Sequence, residues 1–323
     1  MGIVKNKSSL LIVFIGLFIM PQISHAHVKW FVDNDVLSPA PSLLIDPAQL
    51  GVFTAIISIG LILAHSIDQK FKKPHKSFKS FLKKIKKYEG TIFKVFQRLI
   101  GLSLVINGLQ YTLIAPHYQI EATTEFLRLT EIFVGILMLL NIWIPGAAIT
   151  LLILYIITGF SVGWSEAIDY INTAGIAIYL YLTTSKNKKI SKDIRKKAFP
   201  ILRISTGMAL IILAFSEKLL NPEMSLQLLE TTNFNFMSAI GLTAFDDQMF
   251  TLFAGSIETL IGLIFIMGYI TRINTIFFGL FLLSSNLFLL LSNNIPQAWM
   301  ELTGHLPIIA TALIFLAHTN KKR

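Results

Sequence analysis

The sequence contains no cysteine. An exported face without cysteine has no disulfides, no thiol redox pair and no thiolate metal site. Any redox chemistry therefore needs a bound cofactor, or a metal held by His, Met or carboxylate. Charge is scarce too: 14% of the 323 residues are charged, against 54% hydrophobic. A soluble chain of this length does not carry so few charges. There is no Gly-rich phosphate loop, no His-Glu-x-x-His helix and no nucleophile elbow. The longest stretch between apolar runs on the expected outer side, 221–249, is too short to be a catalytic domain by itself.

What the sequence does hold is a succession of apolar runs near the roughly 20 residues that cross a bilayer. One lies at 49–66, and four more at 94–115, 127–143, 147–163 and 167–184. A last four lie at 200–220, 250–269, 273–292 and 302–318. The fold expected is all-α: a polytopic helical membrane protein with nine transmembrane helices.

Before them stands a basic start with Lys5 and Lys7, an apolar run from Leu10 to Met20, Pro21, and the small residues Ser24 and Ala26. That order is a secretory signal peptide. Cleavage after Ala26 gives a signal peptide at 1–26 and an exported segment at 27–48 that begins His27-Val28-Lys29-Trp30-Phe31. An uncleaved anchor is the rival reading.

The net charge of +10 suggests nucleic acid until its placement is read. Lysines crowd 67–93 and 185–199, and the chain ends Lys321-Lys322-Arg323. With the mature N-terminus outside, counting nine spans puts all three clusters in the cytoplasm, as the positive-inside rule asks. This predicts a multi-pass protein of the bacterial inner membrane, N-terminus periplasmic and C-terminus cytoplasmic. The basic loops then face anionic lipid rather than DNA. In the first, Phe71, Phe78, Phe81, Leu82 and Ile85 interleave with lysines, which reads as a surface-lying amphipathic helix or as a plain solvated charge run. Acids show the opposite bias. Only Asp68, Glu89 and Asp193 fall on the cytoplasmic side, which points to an outer surface or cavity suited to cations.

Two four-helix units, 94–184 and 200–320, repeat one another. "RLIGLSLVINGLQYTLIAP" (98–116) parallels "RISTGMALIILAFSEKLLNP" (203–222) with one register slip. "EIFVG" at 131–135 parallels "ETLIG" at 258–262, and "WSEAIDYINTAGIAI" at 164–178 parallels "WMELTGHLPIIATAL" at 299–313. An even number of spans per unit makes this a parallel repeat about the membrane normal. On these residues the chain resembles the DoxX family, "RISTGMALIILAFSEKLLNPE" being the closest stretch. Unit one departs from the pattern, with Thr112-Leu113 in place of Glu217-Lys218. The resemblance implies a small inner-membrane protein, with a few members acting as subunits of quinone-linked oxidoreductases. A quinone is then a candidate cofactor, and a redox or metal-handling protein in the membrane or periplasm a candidate partner.

Glu131 and Glu258 are the sharpest candidates, each inside a span and followed by a glycine. A carboxylate there faces the bundle interior with a partner. It reads as a proton or cation site, as a contact to a quinone head, or as a helix–helix hydrogen bond. Glu166 and Glu301 open helices, where an acid complements the helix dipole. Asp169 and His305 lie about one turn further in. Glu217 and Lys218 are positioned to pair with Glu258. A histidine freed at the terminus, His27, offers its amine and ring Nδ1 to copper, with His117 and His305 as further imidazole ligands. Three functions compete: binding or passing a cation such as copper, a membrane subunit of a quinone-linked oxidoreductase, and a scaffold.

Overall fold

The computed structural model describes residues 47–71, 87–119, 125–232, 235, 237, 241–242, 245–291 and 295–318. The signal segment, His27 and most of the basic loop expected to lie on the membrane fall outside the described residues.

The chain starts with α1 (Pro47–Phe71) and α2 (Glu89–Leu109). After α2 it unwinds into a two-stranded antiparallel hairpin, β1 (Thr112–Leu113) and β2 (Ala115–Gln119). Then come α3 (Glu125–Leu139) and α4 (Ile144–Val162). Left-handed Asn141 and Trp143 stop α3, and Pro145 sits in the first turn of α4, where it lacks no needed N–H. A short α5 (Trp164–Ala167) and a 3-10 turn (Ile168–Tyr170) lead into α6 (Ile171–Thr184).

Ser191 caps the linker helix α7 (Lys192–Lys196), where Lys196 holds the Asp193 carboxyl below its usual range. The second half has α8 (Ala198–Ala214), extended by a π-helical turn (Phe215–Leu219), then α9 (Pro222–Thr232) and α10 (Asp247–Met267). It ends with α11 (Thr271–Leu291), α12 (Ile295–Gly304) and α13 (Leu306–Ala317).

Eight of these helices pack in sequence around a closed ring: α2, α3, α4, α6, α8, α10, α11 and α13, which returns to α2. The contact from α6 to α8 joins the halves on one side, and that from α13 to α2 joins them on the other. The first helix, α1, lies outside the ring against α10, tied by Asp68 Oδ1, which accepts from Ile270 N at 3.0 Å. Phe96, Leu180, Leu202, Phe265 and Phe315 are fully buried in one continuous apolar core.

Two crossings are unusually close. A Cβ on Gly101 would lie 2.5 Å from the Gly135 carbonyl oxygen, and one on Gly207 would lie 2.5 Å from that of Gly262. Small residues at such crossings let helix backbones touch, which is how helices associate where lipid is as apolar as the side chains. The outward faces are apolar. Ile59 and Ile62 on α1, Phe133 on α3, and Leu280 and Leu283 on α11 are all exposed. Water does not tolerate such a continuous surface, and lipid does.

Six single helices are long and apolar enough to cross a membrane, among the described residues. The pair α12–α13 makes a seventh if its 52° bend is one broken span. The chain is therefore a multi-pass, helical membrane protein in contact with the bilayer. Of the nine expected runs, 127–143, 167–184 and the bent 302–318 are not single spanning helices among the described residues, and a fourth, 94–115, is shortened. The outer end of the run 94–115 is the hairpin. At 15 residues α3 spans roughly 22 Å at about 1.5 Å per residue, short of the hydrocarbon core at about 30 Å. The run at 167–184 is broken by the 3-10 turn before α6.

Candidate functional site

The π-helical turn at the end of α8 is closed by Leu220 N donating to Phe215 O at 2.8 Å. Such turns are rare and concentrate at functional sites. This one carries Glu217, fully buried, and Lys218. Lys218 Nζ lies 3.0 Å from Glu258 Oε2 on α10 and 3.3 Å from Glu217 Oε2. The turn is held by Asn221 Nδ2 donating to Ser216 O at 2.7 Å and by Ser225 Oγ donating to Glu217 O at 3.1 Å. A buried carboxylate or ammonium in a membrane needs such a partner.

Facing the turn is the α12–α13 bend. Pro307 follows His305 at the start of α13, and a proline there removes an N–H and crowds the carbonyl four residues back, which bends the pair. His305 Nδ1 lies 3.9 Å from Glu301 Oε1, and both side chains are largely buried.

Between these elements is a cavity of about 260 Å³. Glu217, Lys218, Glu258, Glu301 and His305 line it, with Ser225. The rest of its wall is Met237 together with leucine, phenylalanine, isoleucine and a few small side chains from α8, α9, α10, α11 and α13, Leu213, Phe250 and Phe278 among them. Its chemistry is that of an apolar slot with a polar group of three carboxylates, one lysine and one imidazole.

The first half is built differently. Glu131 is fully buried on α3, and its Oε1 accepts from the backbone N of Ile114 at 2.9 Å. Asn107 Nδ2 donates to Ile114 O at 2.9 Å and Thr112 Oγ1 to Asn107 O at 3.0 Å. Tyr111 and Ile114 take left-handed conformations to make this turn. Arg128 sits 4.3 Å over the Tyr111 ring and binds Gly108 O and Glu125. The hairpin thus lies against the Glu131 carboxylate. Its Tyr118 hydroxyl donates to Glu166 O at 2.7 Å, and the Tyr155 hydroxyl to Ala167 O at 3.0 Å. Buried Asp169 lies within electrostatic reach of Tyr118 and Tyr155.

The structure therefore gathers Glu217, Lys218, Glu258, Glu301 and His305 into one site, and leaves Glu131, Glu166 and Asp169 around the hairpin. Glu166 acts there through its backbone carbonyl. Among the described residues, no three His, Asp or Glu side chains stand close enough to hold a metal. His27 and the side chain of His117 lie outside the described residues, so the copper ligand set is represented only by His305.

Sequence reasoning missed the hairpin, the π-helical turn, and the roles of Ser225, Tyr118 and Asp68. The polar break Gln110-Tyr111-Thr112 was the one signal for the hairpin. Compared with known proteins, the chain matches no family model, no curated protein and no solved structure.

Proposed function

We propose that the chain is a bacterial inner-membrane protein of two fused DoxX-like units, and that its second unit binds a lipid-soluble molecule with an uncharged polar head. A quinone fits that description, and the protein would serve as the membrane subunit of a quinone-linked oxidoreductase. The observation that carries this reading is the cavity: an apolar wall that also carries Glu258, Lys218 and His305. Ligand sites are typically this mixture of apolar lining and a few convergent polar groups.

The repeat is supported by the packing. The last helix of each unit packs on the first helix of the other, α6 on α8 and α13 on α2, as a two-fold arrangement about the membrane normal requires. Matched glycine crossings support it too. With the glycines aligned, Tyr111 and Thr112 fall opposite Glu217 and Lys218, so the register slip lies between arginine and glycine. Where unit two offers Lys218 to Glu258, unit one offers the Ile114 amide to Glu131. Nine crossings, two of them by the shorter helices α3 and α6, a periplasmic N-terminus and basic cytoplasmic loops complete the proposed topology.

The test is equilibrium binding of a benzoquinone with an isoprenoid tail to the protein in lipid nanodiscs. Ala254, buried and lining the cavity, becomes the plug in Ala254→Phe. Saturable binding, weakened at least tenfold by the plug (about 1.4 kcal/mol), is expected. No binding, or binding the plug leaves untouched, overturns the reading. A cation role is favoured by one observation, the excess of three acids over Lys218, and it predicts competition by cations in the same titration.

A further inference from the structure

Phe253 on α10 and Phe277 on α11 both line the cavity and are nonetheless 39% and 52% exposed. Their helices form the thinnest contact in the ring. The two helices meet near their shared turn, where Asn274 Nδ2 donates to Ile261 O at 3.0 Å and the Phe265 and Phe278 rings pack edge to face. Further along, α11 is drawn away toward α12 by Asn286 Nδ2 donating to Ala298 O at 3.0 Å. Held to α10 near one end and to α12 near the other, α11 leaves its seam with α10 as the most weakly packed wall of the cavity.

We infer that this seam is a lateral portal to the bilayer, and that the occupant of the cavity is a tailed amphiphile whose hydrocarbon chain leaves between α10 and α11. The inference rests on the reading that the cavity binds a lipid-soluble molecule. Size is compatible with the tail lying outside: at about 260 Å³ the cavity is just below the roughly 300–1,000 Å³ of typical ligand pockets, enough for a head group but not for a head and a long tail together. Chemistry limits the head. Lys218 is already held by two carboxylates, and Glu301 adds a third acid, so the site repels a carboxylate or phosphate head. It suits an uncharged head that can donate or accept hydrogen bonds. A ligand of this kind is dissolved in lipid, and a sideways opening spares its tail any passage through water.

The experiment is photolabelling of the full chain in nanodiscs, using a benzoquinone with an isoprenoid tail that carries a diazirine at the tail's end. Labelled peptides are mapped by mass spectrometry. The portal predicts label on the outward faces of α10 and α11, around Phe253 and from Phe277 to Ser284, lost when an excess of unlabelled tailed quinone is added. It also predicts a lower yield of that label at short exposure in Phe277→Trp, which narrows the seam. Competable label on α9 or α12 instead overturns the portal and keeps the binding reading. Label that is nowhere competable overturns the binding reading, and the portal with it.

Discussion

Replacing Lys218 by methionine tests whether the charged end is one coupled unit. Methionine keeps the length and most of the apolar stem, and removes the ammonium. In the native chain that ammonium makes two contacts, at 3.0 Å to Glu258 and 3.3 Å to Glu217. Charge-assisted hydrogen bonds contribute roughly 1.5–3 kcal/mol each, and the longer contact belongs at the low end. Removing one partner of a buried pair costs about 3–5 kcal/mol, because the other is left without compensation. Glu258→Gln should cost less, about 1–2 kcal/mol, since Gln still offers an oxygen to Lys218 and Glu217 still balances the lysine.

The double variant decides the matter. If the groups act as one unit, Lys218→Met with Glu258→Gln costs less than the two singles together, by an amount within about 0.5–3 kcal/mol. The assay is equilibrium unfolding in mixed detergent and lipid, followed by far-UV circular dichroism on all four proteins. Additive losses would refute the reasoning, because they would mean that Lys218 and Glu258 do not interact in the folded protein.

The close crossings predict that Gly135→Ala and Gly262→Ala lower the thermal midpoint in detergent, since a Cβ would meet the facing carbonyl oxygen at 2.7 and 2.6 Å. Gly279→Ala, which meets nothing within 4 Å, should leave the midpoint unchanged or raise it. Glu131→Leu orphans the buried Ile114 amide, a loss of about 1–3 kcal/mol. Amide exchange across 112–119 should accelerate in that variant, while Glu131→Gln stays near the parent rate. Alkaline phosphatase fused after residue 235 should be active, and after residue 80 or 190 silent; reversed signals would overturn the proposed topology.

Helix positions were legible because the apolar runs state them: α1, α4, α10 and α11 begin and end within a few residues of the runs. The Glu-to-Gly spacing was legible for the same kind of reason, as both glycines sit at the crossings. The pairing of Glu217, Lys218 and Glu258 followed from the placement of three charges in apolar surroundings, which leaves few partners. The hairpin was not legible. The polar break at Gln110-Tyr111-Thr112 marks an interruption of α2 but not its form, and left-handed Tyr111 and Ile114, a property of tertiary fit, turn the chain back. Glu131 and Glu258 look alike in sequence, and they differ because a backbone amide reaches one and a lysine the other. The π-helical turn has no sequence period of its own, and the cavity belongs to six helices at once.

The central claim is that the cavity of the second half holds a ligand, whereas in the first half Glu131 is taken by the hairpin's Ile114 amide. The number of tailed benzoquinone molecules bound per chain tests it most directly. Native mass spectrometry of the protein released from nanodiscs, after saturation with the probe, reads that number. The account predicts one molecule per chain, lost in Ala254→Phe and retained in Glu131→Gln. Two molecules per chain, or one that survives Ala254→Phe and is lost in Glu131→Gln, would contradict it.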